Sequence, residues 1–130
     1  TTVAWGLTGD RNDTIDTIAI ASIFRLASTG ATLPVVIEND DATNTNDDVV
    51  TGFSMVDTTW CKFKIDFSNL ADVKFYAGLA PGGLTRVGAA TTMIMSAYSA
   101  GLQPFFQIQK TSDSNVDAFE IDYVRIWGVR

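Results

Sequence analysis

Apolar and polar side chains alternate most clearly between Trp60 and Phe67. Cys61, Phe63, Ile65 and Phe67 fall on one side of an extended chain, and Trp60, Lys62, Lys64 and Asp66 on the other. Strand side chains repeat with period two, so this stretch predicts a strand with one face in a core and the other toward water or a partner. Asp72 to Ala77 repeats the pattern, with Val73 and Phe75 set against Lys74 and Tyr76. The four residues Ser68 to Ala71 between the two runs fit the connection of an antiparallel hairpin. At the other extreme lies Ala118 to Trp127, where Phe119, Ile121, Tyr123, Arg125 and Trp127 share one side and Ala118, Glu120, Asp122, Val124 and Ile126 the other. Apolar residues on both faces of strand-forming types predict a strand near the middle of a sheet, around which the rest of the chain is organised.

The remaining elements follow from the same periodicity. Val3 to Leu7 reads as a first strand, stopped by the turn-forming Thr8 to Asp13. Ile15 to Leu26 reads as one long strand, with a helix as the local rival because Ala19, Ala21 and Leu26 suit either state. Ser28-Thr-Gly30 turns the chain into Leu33 to Glu38, a strand whose Pro34 cannot donate to a ladder and so belongs at an edge or at the strand's start. Val49 to Val56, interrupted by Gly52, is the next strand. Beyond the glycine-rich turn 78–83 come a short strand near Leu84 to Val87 and an ambiguous run, Ala89 to Ala100, readable as strand or short helix. Phe105 to Lys110 is a strand, and Thr111 to Asn115 a polar hairpin loop leading into the final strand. About nine short strands with little helix give an all-β chain, a two-sheet sandwich or a barrel, in one domain spanning 1–130.

Charge and composition then exclude several functions. A net charge of -6 over 130 residues disfavours a nucleic acid partner, which needs clustered Lys and Arg. No apolar run approaches the ~18 residues of a membrane span, so no membrane partner is expected. The chain has no histidine and a single cysteine, Cys61. Ser-His-Asp and Cys-His catalysis, thiolate clusters and an intrachain disulfide are therefore out of reach, and Cys61 has the ordinary role of a small buried hydrophobe.

One segment has a composition of its own. Asn39 to Asp48, NDDATNTNDD, predicts an exposed loop. Its carboxylates Asp40, Asp41, Asp47 and Asp48 are the hard oxygen ligands that calcium takes, although the EF-hand spacing is missing, and an acidic loop without that spacing is ordinarily only solvated. Trp5, Trp60, Tyr76, Tyr98 and Trp127 are the aromatics that could stack on a sugar. Each is individually more often core or sheet packing.

Trp60-Cys-Lys-Phe-Lys-Ile-Asp-Phe67, then Val73-Lys-Phe-Tyr76, Leu102-Gln-Pro-Phe105 and Ile121-Asp-Tyr-Val-Arg-Ile126, taken in that order, resemble the concanavalin A-like lectin/glucanase jelly roll. The closest resemblance is to jelly-roll domains of bacteriophage virion proteins, in which a Leu-Gln-Pro segment and a terminal Asp-Tyr-Val strand recur. The resemblance implies a two-sheet antiparallel jelly-roll β-sandwich. Glucanases of this superfamily carry an E-x-D-x-x-E strand whose two glutamates act as nucleophile and acid ~5 Å apart. Here Glu120-Ile-Asp122 supplies two members in a different strand, and Val124 and Arg125 stand where the third would be, so no catalytic residues are expected. Such jelly rolls also carry further strands upstream of the point where this chain starts, which suggests the C-terminal part of a longer product with an open edge.

Three functions compete on this reading. The first is a non-enzymatic structural subunit of a virion, either a capsid decoration or cement protein or a head appendage, homo-oligomeric and bound to the major capsid protein or another virion protein. The second is a carbohydrate-binding module of a tail or surface protein, with a glycan as ligand and hydrogen bonds from the loop acids at Asn39 to Asp48; no cofactor is expected, calcium being the one alternative. The third, a hydrolase, has the least support because both the histidines and the carboxylate triad are missing.

Overall fold

The hairpin expected from the Trp60 to Phe67 alternation is present. Strand β5 (Cys61–Asp66) pairs antiparallel with β6 (Lys74–Leu79), with Ile65 opposite Phe75 on the inner face and Lys64 opposite Tyr76 on the outer. The structure is a computed structural model and describes residues 1–27, 32–110 and 118–128. Six more strands are β1 (Thr2–Thr8), β2 (Ile20–Leu26), β3 (Leu33–Asp41), β4 (Thr45–Met55), β7 (Thr85–Val87) and β8 (Gln103–Gln109). One sheet runs β4-β3-β2-β1-β8 and the other β5-β6-β7, all antiparallel. The fold is an all-β sandwich, and the rings that join its layers come from alternate positions of strands in both sheets.

Trp5 of β1 and Phe24 of β2 face Phe63 of β5 at 4.8 and 4.9 Å between ring centroids, and Phe24 meets Phe75 of β6 at 5.2 Å. These separations lie in the range where edge and tilted aromatic pairs gain most. Val3, Leu26, Val35, Ile37, Val73, Met93 and Met95 complete the buried core. Phe75 is buried, as its alternation requires, whereas Phe63, Ile65 and Phe67 are half-buried against the core. Cys61 is also half-buried, its Sγ 3.6 Å from the Thr59 carbonyl.

The opposite face of the larger sheet has a small core of its own, made of Ala4, Ile15, Ile18, Ala21, Ile23 and Phe105. This second core explains why Ile15 to Leu26 is not one strand. Ile15 and Ile18 are three residues apart and both must point at the sheet, a spacing that a short 3-10 turn (Ile15–Thr17) provides and an alternating strand does not. The loop is tied down by Gln109, whose Oε1 accepts from Ile15 N at 3.1 Å, and by Gln107, whose Nε2 donates to Asp13 O at 3.1 Å.

Several other expectations change. β3 is interior, between β2 and β4, yet tolerates Pro34 because the proline lies next to the strand's start and beside a register shift toward Val36. Asn39 to Asp48 is a β-hairpin rather than a loop, with only Ala42 to Asn44 between β3 and β4. Ala89 to Ala100 is neither strand nor helix, and it inserts Met93 and Met95 into the core. The largest correction concerns Ala118 to Trp127. Its described residues form no strand, β2 holds the middle place of the larger sheet, and 120–128 are exposed. Glu120, Asp122 and Arg125 place charge on both of its faces, which opposes burial between two layers. Only Phe119 packs, stacked on Trp5 at 5.1 Å. The turn at Ser28 to Gly30 and the loop at Thr111 to Asn115 lie outside the described residues.

Candidate functional site

The sandwich carries polar chemistry on both outer faces, at one hairpin and at a buried pair. The first is the outer face of β5-β6-β7. Lys62, Lys64, Lys74 and Arg86, four of the nine cationic side chains, alternate outward around Tyr76, and the strand register sets Lys64 and Arg86 on either side of that ring. Lys64 Nζ is 5.2 Å from the Tyr76 centroid and 3.0 Å from Asp66 Oδ2. Arg86 pairs with Asp72 at 3.0 Å, and Lys62 Nζ donates to the Gly82 carbonyl. Asp66 also accepts from Ser68, and these donors hold its carboxyl at about 2, below the usual aspartate value of 3.8. Beside this face, an open apolar cleft of about 480 Å³ lies where β4 approaches β6 and β7, between Gly52 and Phe53 on one wall and Gly78, Gly83 and Val87 on the other.

The second is the acidic hairpin. Asp41 is buried, a position that by itself raises a carboxyl. Hydrogen bonds reverse the shift: Thr43 N, Asn44 N and Asn44 Nδ2 donate to Oδ1 and Ala97 N to Oδ2, holding the group below its ordinary value. Asp40 accepts from Ala42 N at 2.6 Å and Thr45 Oγ1 at 3.0 Å. Asp48 pairs with Arg25, while Asp47 is exposed on β4. Three of the four carboxylates proposed for calcium are thus already occupied by N–H, O–H or guanidinium donors. No three acidic side chains come together to hold an ion among the described residues.

Arg25 stands at the centre of a charged group on the outer face of the larger sheet, bonded to Glu38 and Asp48 and 3.7 Å from Asp16. Burial disfavours its guanidinium, and the three carboxylates more than compensate. The Glu38 carboxyl is pushed up by burial and pulled only part of the way back by Arg25.

One further feature is buried. Ser22 Oγ donates to Asn39 Oδ1 at 2.7 Å, and Asn39 Nδ2 donates to Ile94 O at 2.8 Å, clamping the irregular 89–100 segment onto the sheet. The low-complexity run disguised Asn39 as a loop residue. The signal that finds it is spacing, since Val35, Ile37, Asn39 and Asp41 continue one alternating inner face.

The five aromatics suggested for sugar stacking do not share a surface role. Trp5 is 5% exposed and belongs to the core, so it offers no platform. Tyr98 packs against the core and donates to Gly101 O at 3.4 Å. Tyr76 is half-buried amid the cations described above. Trp60, 54% exposed, immediately precedes β5, and Trp127, 68% exposed, lies 5.0 Å from Arg125 on the C-terminal segment. Glu120 and Asp122 lie on that same exposed segment, which is not itself a strand. Among the described residues, no helix is long and apolar enough to cross a membrane. The chain matches no protein-family model, no curated protein and no solved structure.

Proposed function

We propose that the chain is a non-enzymatic structural subunit of a virion, a jelly-roll domain of the concanavalin A-like kind that decorates or cements a capsid, or forms a head appendage, as a homo-oligomer. The observation that carries this reading is a sandwich with unclosed sheet edges beside an apolar tail, a build that offers backbone pairing and apolar area to other proteins. The sequence resemblance supplies the virion context. The return of β8 from the second sheet to lie against β1 suits a jelly-roll connection. The basic face around Tyr76 gives a subunit of net charge -6 a surface able to meet acidic protein.

A carbohydrate-binding module is the second reading, favoured by one observation: Trp60 is exposed immediately before the strand that carries Lys62 and Lys64. Fractionation of purified particles and a glycan array with and without calcium separate the two. A structural subunit co-purifies with particles and leaves the array blank, whereas a lectin-like module binds sugars and loses that binding on Trp60→Ala.

A further inference from the structure

Among the described residues, four strand edges bound the two sheets, and they differ in how they are protected. β4 carries Asp47, Asp48 and a register-shifting irregularity, β5 carries Lys62, Lys64 and Asp66, and β7 is three residues long with Arg86 at its middle. Charge, bulges and shortness are the usual means of preventing an edge from pairing with another chain. β8, QPFFQIQ, has none of them: it holds no charged residue, runs straight along β1 for seven register pairs, and has its one proline next to its start.

Both sides of β8 also differ from an ordinary rim. Its outer face is covered, with Phe105 in the second core and Gln107 and Gln109 bonded to the 9–19 loop. Its inner face is open, with Phe106 42% and Ile108 41% exposed beside Trp5 and Val3. A groove of about 310 Å³ follows this strand, bounded by Arg11. The C-terminal segment has matching chemistry. Ile121, Tyr123 and Trp127 are exposed, Tyr123 at 71%, and in an extended chain they fall on the face of Phe119. Phe119 is already stacked on Trp5, so this face of the segment fits the apolar shelf that Phe106 and Ile108 extend.

We propose that the edge of β8 is a self-association site, which receives residues 120–127 of a second copy as an added strand and gives its own in return. In the pair, Ile121 and Tyr123 cover Phe106 and Ile108 of the other chain, and Glu120 or Asp122 meets Arg11. Reciprocal exchange about a two-fold axis closes the contact and stops it from running on as a fibre. The area is sufficient: Tyr123 and Trp127 each bury roughly 150–250 Å². Two arms and the shelves they cover then reach the order of 1,200 Å² at which stable interfaces begin. This pairing deepens the oligomer part of the reading above and rests on it for that part only.

The test is sedimentation velocity of the full chain at micromolar concentration beside two variants, a chain ending at Phe119 and the double substitution Ile121→Asp, Tyr123→Asp. The full chain is expected at twice the monomer mass and both variants at the monomer mass, with unchanged far-UV circular dichroism. Oxidation of a Cys61→Ser, Ile108→Cys, Tyr123→Cys chain should join two chains. A monomeric full chain, a truncated chain that stays dimeric, or a disulfide that closes within one chain overturns the proposal. A dimer missing from purified particles leaves the pairing intact and removes the virion reading, whereas a particle-bound monomer does the reverse.

Discussion

Replacing Phe63 by Ala removes the ring on which three others converge. Phe63 belongs to β5, and its partners Trp5, Phe24 and Phe53 all belong to the facing sheet, at 4.8, 4.9 and 5.8 Å. The cost of Phe→Ala in a core is about 3–5 kcal/mol, transfer and cavity together. Phe63 is half-buried, which lowers the transfer share, while each lost ring pair adds about 0.5–1.5 kcal/mol. The expected loss is therefore about 3 kcal/mol, a large part of the 5–15 kcal/mol of a typical domain. Phe24→Ala, at a side chain only 1% exposed and bonded into the same ring group, should cost more, about 4–5 kcal/mol. Urea unfolding followed by tryptophan fluorescence reads both, and with a slope of about 1–3 kcal/mol/M the Phe63→Ala midpoint should fall by at least 1 M. A loss below about 1 kcal/mol, within the range of ordinary surface changes, would show that the two sheets are not held together through this ring.

Three further outcomes follow from the packing and electrostatics. Asn39→Ala leaves the Ser22 hydroxyl and the Ile94 carbonyl unpaired in a buried site, so stability should drop by about 2–4 kcal/mol and amide exchange should quicken in 91–97. Asp66 is depressed from 3.8 to about 2, so its contribution is present above the unfolded value and is lost as pH falls toward 2; Asp66→Asn should lower stability at neutral pH and flatten the stability profile in the acid window. No turnover on β-glucan is expected, and detectable hydrolysis abolished by Glu120→Gln or Asp122→Asn would reverse the non-enzymatic reading.

The sequence revealed strands best where one face is buried and the other solvated. The Trp60 to Ala77 hairpin was legible because each inward Phe or Ile alternates with Lys or Asp, but its register was not: the connection runs over 67–73 rather than Ser68 to Ala71, which sets Ile65 opposite Phe75. Legibility failed where composition and periodicity disagreed. Asn39 and Asp41 looked like loop residues because Asn and Asp favour turns, yet their partners lie on Ile94 and Ala97, which no local pattern displays. Ala118 to Trp127 has strong strand propensity, but Glu120, Asp122 and Arg125 put charge on both of its faces, and the middle place of the larger sheet belongs to β2. Of the candidate site residues, Trp5 failed for the same reason in reverse: a side chain suited to a sugar is equally suited to a core, and Phe24, Phe63 and Phe119 supplied the core.

The proposed virion role is tested most directly by quantitative mass spectrometry of purified, intact virus particles. The account predicts the protein at a fixed ratio to the major capsid protein through successive density-gradient steps, released only when the particles are disrupted. Absence from the particles would contradict it, and together with sugar-specific binding on the glycan array would make the chain a carbohydrate-binding module instead.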